Sequence, residues 1–278
     1  MPLDTSTYNL AHLRIDGRRW NELRQLHAQL RTQASADGSA CFELGNTKVM
    51  CVVSGPSEEG KRRGASSAAG AGGPGSGAGG GNAADILVSV VVGAFSTVDR
   101  KRRARGDKRI QELQSALAKS LAAVLHTHLF PRSTISLSLH ILSQDGSLLA
   151  CLINAATLAL IDAGVPMDDF LVGCSAGSTS SHAAGDEQAD PLMDLNTQEE
   201  QELPFLTVAT LGSSDKVVAL VCESRVQVSR LEGMMVSAVD GCRIIHEYMK
   251  AVVKEKGARM IAEGAVEKGV SMAMDIDV

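Results

Sequence analysis

The chain has 278 residues, 44% of them hydrophobic, which is enough for a sizeable buried core in one large or two small domains. Its formal net charge is -5, so the molecule as a whole is no polycation, and contact with nucleic acid requires a local basic patch. No apolar run approaches the roughly 18 residues of a membrane span and no secretory signal precedes the first predicted element, so we expect an intracellular protein that does not bind membranes.

The first predicted elements are a β-hairpin and a buried strand. The hairpin is indicated by SACFELGNTKVMCVVSGP, in which apolar and β-branched residues flank the turn dipeptide Gly45-Asn46. Residues 60–84 are mostly Gly, Ala and Ser, which bury too little surface to offset their ordering entropy, and they predict a flexible loop. The Val-rich run at residues 86–95 is typical of a strand that is buried on both faces.

Helices and strands alternate through the middle of the chain. Apolar residues recur at helical spacing over residues 108–129, and Pro131 follows. Residues 134–142 alternate apolar and polar side chains, which predicts a half-exposed strand. Residues 149–163 are apolar nearly all round and predict a buried helix, which the following Gly and Pro end.

The C-terminal third predicts strands followed by a long helix. Residues 171–176, 204–212 and 216–224 read as strands, and the last two are expected to pair. The helix is expected to begin near Ser229, which forms a capping box with Glu232. The element order predicts an α+β fold in which helices cover mixed sheets, with one domain over residues 1–263 and a tail over 264–278.

Five segments together resemble the ribonuclease PH family, and within it the subunits of the RNA exosome. In chain order they are RIDGRRWNELR, GSACFELGNTKVMCVVSGP, GDKRIQELQSAL, DGSLLACLINAATLALIDAGVPM and PLMDLNTQEE. They cover most of the chain apart from the Gly-rich loop and the tail. The resemblance implies a ribonuclease PH-like domain with the βαβα fold of ribosomal protein S5 domain 2. It also implies a six-membered ring with a central channel for RNA.

The first candidate site is the turn before the predicted buried helix, formed by Gly146, Ser147, Leu148 and Leu149. Free N–H groups and the helix dipole make such a turn an anion site, although Ser147 could instead simply cap the helix. Active members of the family carry glycine, threonine and arginine at positions 147 to 149, and that arginine holds the attacking phosphate. Leu149 cannot replace a charge-assisted contact of about 1.5–3 kcal/mol, so we expect a degenerate phosphate site without phosphorolysis.

The second candidate is the acidic segment MDLNTQEEQE. Active relatives hold a pair of carboxylates here, one of them a general acid for the leaving 3′ oxygen. Asp194 matches the first position, whereas Glu200 stands at the second and is a longer side chain that places its carboxylate differently. We therefore expect both residues to be vestigial and the chain to have no catalytic residue. The alternative is a solvated loop in which Thr197 and Glu200 cap a helical turn.

The third candidate is basic. It consists of Lys61, Arg62 and Arg63 after the hairpin, Arg105, and Lys108 and Arg109 at the start of the predicted helix. Lys108 and Arg109 match the channel residues that hold the RNA backbone in the family. Few aromatic residues are available to stack on bases, so the expected RNA contact is independent of sequence. A solvated charge run or a nuclear-localisation signal is the alternative.

The resemblance therefore implies a non-catalytic exosome ring subunit that binds RNA in the channel. Its expected partners are other ribonuclease PH-like subunits, cap subunits and a separate nuclease for 3′-to-5′ RNA processing and degradation, in the nucleus, nucleolus and cytoplasm. The six cysteines lack metal-site spacing, and we expect neither metal nor cofactor.

Two other functions stay open. In one, the chain is an active phosphate-dependent 3′-to-5′ exoribonuclease in which Asp194 works and a residue such as Arg109 replaces the lost charge. In the other, it is a small-molecule kinase or isomerase with an S5-like fold. The latter would be supported by a Gly-rich phosphate loop leading into a helix, which the sequence lacks.

Overall fold

Two β-sheets enclose a buried helix. The computed structural model describes residues 13–57, 83–97, 100, 107–179, 191–212, 214 and 216–267. The first sheet has five strands, in the spatial order β1 (Leu26–Leu30), β2 (Gly38–Leu44), β3 (Thr47–Ser57), β5 (Thr134–Ser143) and β4 (Asp85–Val92). The β4–β5 pair is parallel and the other pairs are antiparallel. Nearly all of the predicted Gly-rich loop lies outside the described residues.

The predicted hairpin is confirmed as β2 and β3. Its last strand pair is Leu44 with Thr47, so the turn is Gly45-Asn46 as expected. Gly45 has a φ of 58°, which a residue with a side chain rarely adopts. Alternate residues of the hairpin, including Phe42 and Val49, are fully buried in the core. The alternation therefore fixes which face of the sheet packs inward.

The second sheet is antiparallel and has the order β7 (Pro191–Met193), β6 (Leu171–Ser178), β8 (Phe205–Leu211) and β9 (Val217–Cys222). Helix α2 (Leu148–Asp162) packs on β2 and β3 of the first sheet and on β6 of the second, and it is buried as predicted. Its one buried amide, Asn154, donates to the Gly173 carbonyl at 3.0 Å and accepts from the Gly173 N–H at 2.8 Å. These bonds tie the helix to β6 and satisfy the amide.

Three further helices complete the described chain. Helix α1 (Lys108–Ala122) packs on β4, the short helix α3 (Thr197–Glu202) follows β7, and α4 (Val228–Glu267) packs on β6, β7 and β8. Mixed sheets covered by helices confirm the predicted α+β class. Within the described ranges, no helix is both long and apolar enough to cross a membrane.

The strand predicted over residues 86–95 is shorter than expected and is not buried on both faces. It forms the edge of the first sheet, and Leu87 and Val91 are 58% and 47% exposed. Only its other face packs on α1 and the core. An apolar sequence is typical both of a central strand and of an edge strand that pairs with another chain. The sequence alone therefore does not distinguish the two, which explains the wrong prediction of burial on both faces.

Helix boundaries also differ from the prediction. Helix α1 ends at Ala122 because Leu125 forms a β-bridge with Met167, and a 3-10 turn follows at Thr127–Leu129. Helix α4 begins at Val228, within one residue of the expected start, so Ser229 lies in its first turn rather than at the N-cap position. The same helix continues to Glu267, and the first residues that we assign to the tail are helical.

Candidate functional site

The Asp194 carboxylate is fully buried and held by Arg24 and Ser147. Arg24 donates to it from its backbone N–H at 3.0 Å, from Nε at 2.8 Å and from Nη2 at 2.7 Å. The Ser147 hydroxyl adds a bond of 2.8 Å, and the Arg18 guanidinium lies 3.6 Å away. Asp194 itself has a φ of 54°, in the left-handed region that Asp tolerates better than most residues. The carboxylate is therefore built into the core.

The environment of Asp194 keeps it ionised. Burial alone would raise the pKa of this carboxyl, but the hydrogen bonds and charge of Arg24 outweigh it and hold the pKa below its usual value. A general acid at neutral pH needs a raised pKa and a free oxygen near the reacting atom. In this geometry Asp194 has neither, so it organises the site rather than exchanging protons.

Arg24 also holds the turn before α2. Its Nη1 donates to the carbonyl of Asp145, and Nη2 lies 3.5 Å from the carbonyl of Gly146. The Thr47 hydroxyl donates to Gly146 at 2.8 Å and accepts from the Asp145 N–H at 3.0 Å. The start of β3, the turn and the acidic segment thus form one hydrogen-bonded unit.

Ser147 occupies the N-cap position of α2 but does not cap it with its side chain. It is left-handed, with a φ of 51°, and its hydroxyl points to Asp194 and Ser175. The backbone N–H of Ser147 donates instead to the Glu200 carboxylate, with 2.6 Å between N and Oε1. The interpretation of Ser147 as a simple helix cap is therefore wrong, because its hydroxyl is drawn to a buried charge.

Glu200 is a half-buried carboxyl with a perturbed pKa. Burial raises its pKa to about 7, against the lowering effects of the Ser147 N–H and of the charges of Arg24 and Arg109. Asp194 acts in the same direction as burial. Of the two predicted vestigial carboxylates, Glu200 is thus the one that can change protonation near neutral pH.

The other predicted turn residues pack against protein. Leu148 is buried, and Leu149 lies half-buried against the main core. Gly146 has a φ of 77°, and a Cβ at this position would collide with the backbone of Leu195 to Thr197. The turn and the acidic segment are therefore in direct contact.

Helix α3 has a different cap from the one predicted. Asn196 is the N-cap, and its capping-box partner is Glu199. The prediction of a capped helical turn holds, but the assignment to Thr197 and Glu200 is wrong by one residue. The Thr197 hydroxyl has no hydrogen-bond partner among the described residues. The Glu200 carboxylate accepts instead from the Ser147 N–H at the start of α2.

The basic residues are only partly described. Lys108 and Arg109 are exposed at the N-terminus of α1, where Asp107 accepts the Arg109 N–H at 3.3 Å. The charge of Arg109 lowers the pKa of the Glu200 carboxyl. Lys61, Arg62, Arg63 and Arg105 lie outside the described residues. Of the six predicted RNA-binding residues, the structure therefore describes two, Lys108 and Arg109.

Three buried or half-buried arginines of the site are missed by reasoning from the sequence, namely Arg14, Arg18 and Arg24. Arg14 donates from Nε to Glu199 at 2.9 Å and from Nη2 to the Asp194 carbonyl at 2.8 Å. Arg18 also pairs with Asp16, two positions away, but Glu199 and Asp194, the partners of Arg14 and Arg24, lie more than 160 positions away, so local patterning carries no signal for those two pairs. The one available signal is the density of arginines directly before a strand.

Metal-binding geometry is not found in the described part of the chain, where no group of three His, Cys, Asp or Glu side chains could hold an ion. Cys51, Cys151, Cys174 and Cys242 are buried, whereas Cys222 is exposed. Cys151 lies in α2 and Cys174 in β6, and burial raises the pKa of both thiols.

Fold and site together define an α+β protein in which the turn before a buried helix contacts an acidic segment whose Asp194 carboxylate is bound by Arg24. The chain belongs to the ribonuclease PH family: the family model for the "3' exoribonuclease family, domain 1" matches residues 22–166.

Similar proteins agree with this membership, and a solved structure shares the fold. The chain is 39% identical over 254 residues to exosome complex component ski6 of Schizosaccharomyces pombe, covering 91% of this chain and 96% of the relative. It is 38% identical to the exosome complex component RRP41 homolog of Arabidopsis thaliana, covering 87% and 92%. It is 36% identical to human exosome complex component RRP41, covering 87% and 91%. The crystal structure of rice Rrp46 has the same fold, with a TM-score of 0.66 and 23% identity over 87% of this chain and all of that one.

Proposed function

We propose that the chain is a non-catalytic ring subunit of an RNA exosome. The observation that carries the proposal is the similarity to named exosome components over nearly the whole chain. The site supports the loss of catalysis, because Leu149 supplies no charge for phosphate and Asp194 is fully engaged by Arg24. RNA passes through the ring and is degraded 3′ to 5′ by a separate nuclease.

The partners in this proposal are other ribonuclease PH-like ring subunits, cap subunits and the nuclease. Two edge strands support ring contacts, because β4 exposes Leu87 and Val91 and β9 exposes Val217 and Leu220. Strand edges with apolar side chains are prone to pair with another chain. The corresponding test is co-purification of the full chain with its ring neighbours, compared with a variant carrying Leu87→Lys and Val91→Lys.

RNA contact is assigned to Lys108 and Arg109, which lie exposed at the start of α1. Exposed cations bind the RNA backbone without reading bases, and each lost phosphate contact lowers the salt dependence of binding. The proposed location is the nucleus and nucleolus, and also the cytoplasm, which a fluorescent fusion at the native locus would test.

The alternative activity is phosphate-dependent exoribonuclease. One observation favours it: the Glu200 carboxyl lies at the turn, 2.6 Å from the Ser147 nitrogen, and burial raises its pKa to about 7, a value suited to acid catalysis at neutral pH. The test is release of nucleoside diphosphates from labelled RNA by the reconstituted ring in the presence of phosphate. Release that disappears with Glu200→Gln, while RNA binding persists, would support the alternative.

A further inference from the structure

The turn before α2 is occupied by an anion from the chain itself. Oε1 of Glu200 lies 2.6 Å from the backbone nitrogen of Ser147, although the two residues are 53 positions apart. The N-cap residue offers no substitute, because the Ser147 hydroxyl is directed to Asp194 and Ser175. A carboxylate from a different helix therefore holds the N–H at the beginning of α2.

The surrounding charges act on the ionisation of Glu200. Although burial raises the pKa of the Glu200 carboxyl, its ionised form is favoured by the charges of Arg24, before β1, and Arg109, at the start of α1. Asp194 opposes them, but its own charge is neutralised by Arg24 and lies within 3.6 Å of Arg18. Asp145 belongs to the turn, but its carboxylate accepts a hydrogen bond from the Asn46 side-chain amide at 2.9 Å, so the carboxylate that accepts from the Ser147 N–H is that of Glu200.

The acidic segment packs tightly against the turn before α2 and leaves no space beside Gly146. Gly146 packs directly against the backbone of Leu195 to Thr197, so the acidic segment lies flush against one side of the turn. The same segment leads into α3, which carries Glu200. The packing that positions the carboxylate also prevents the turn from opening without movement of α3.

We propose that the Glu200 carboxylate is a built-in competitor that keeps inorganic phosphate out of the turn formed by Asp145, Gly146 and Ser147. Phosphate needs the same N–H donor and helix dipole, and two anions at one short turn repel each other. Loss of the arginine at position 149 removes the attraction for phosphate, and Glu200 blocks what remains. This inference goes beyond ring membership and does not require it.

The test is calorimetric titration of the full chain with inorganic phosphate at pH 8, with chloride adjusted to constant ionic strength. Wild type should show no saturable binding of phosphate. Glu200→Ala should bind phosphate with a dissociation constant at least tenfold lower than any value measured for wild type. Glu200→Gln keeps an acceptor for the Ser147 N–H but loses the charge, and should show a smaller gain. Glu232→Ala, a change at an exposed glutamate of α4, should behave as wild type.

A second measurement keeps the result interpretable. The amide proton shift of Ser147, read by NMR of labelled full chain, should move in Glu200→Gln and move again on addition of phosphate. Folded Glu200→Gln that shows neither phosphate binding nor a phosphate-dependent shift overturns the proposal, as does wild type that binds phosphate as tightly as the variants. Neither assay contains RNA or other subunits, so a failure of the ring assignment would leave these outcomes unchanged.

Discussion

Replacing Asp194 with alanine should strongly destabilise the fold. Asp194 is fully buried and accepts three hydrogen bonds from Arg24 and one from Ser147. Its removal leaves the Arg24 guanidinium, itself 8% exposed, as a buried cation with only carbonyl and hydroxyl neighbours. Breaking a buried ion pair by deleting one partner costs about 3–5 kcal/mol, a large share of the about 5–15 kcal/mol that holds most domains folded.

The assay is urea unfolding of the full chain at pH 7, followed by fluorescence of Trp20 and by circular dichroism. Asp240→Ala is the matched control, because Asp240 pairs with Arg243 at 3.1 Å while both side chains are about half exposed. Such a surface pair should contribute less than about 1 kcal/mol.

A double-mutant cycle isolates the interaction between the two charges. Arg24→Met, Asp194→Ala and the combined variant should give a coupling energy above about 1 kcal/mol, because the two side chains share an ion pair and two hydrogen bonds. The reasoning is refuted if Asp194→Ala costs no more than the Asp240 control, or if the cycle shows no coupling. Either result would mean that the carboxylate is not an organising element of the core.

Three further predictions concern the turn, the titrating glutamate and the basic residues. Gly146→Ala should destabilise by about 2 kcal/mol more than Gly164→Ala in urea unfolding, because both residues have positive φ but only Gly146 has backbone in the way. The pKa of Glu200 is about 7 in the fold and about 4.3 when unfolded, so its protonation stabilises the fold below about pH 4.3 and the benefit is lost as pH rises to about 7. The stability of wild type relative to Glu200→Gln should therefore fall over that window and stay level above it; a flat difference would contradict the pKa. Lys108→Glu with Arg109→Glu should weaken binding of the reconstituted ring to RNAs of unrelated sequence and lower the slope of log K against log salt by about 1.4, whereas Lys250→Glu with Lys254→Glu should not; equal effects from both pairs would remove the channel assignment.

The sequence predicts well where local pattern and packing agree. The Gly45-Asn46 turn and the buried helix α2 follow from turn chemistry and from an apolar surface on all sides. The edge position of β4 does not, because Leu87 and Val91 have the same appearance in a buried strand and in a strand exposed for a partner.

The sequence predicts which residues form the site but not the interactions that each of them makes. Asp194, Glu200 and Ser147 are all identified from motif positions, but the hydrogen bonds that each of them makes in the structure are not predicted. Asp194 is fixed by Arg24 from 170 positions away, and Ser147 turns to that pair instead of capping its own helix. Glu200 then takes the vacant N–H. These hydrogen-bond partners depend on which charged residues, distant in the chain, meet in the core, and the local spacing of residues does not predict them.

The most direct test of the central claim is phosphate-dependent turnover of RNA by the reconstituted ring without its separate nuclease. The account predicts that end-labelled RNA binds the ring and remains intact in millimolar phosphate, with no nucleoside diphosphate released. Release of nucleoside diphosphates that requires phosphate and is abolished by Glu200→Gln in this subunit would contradict it.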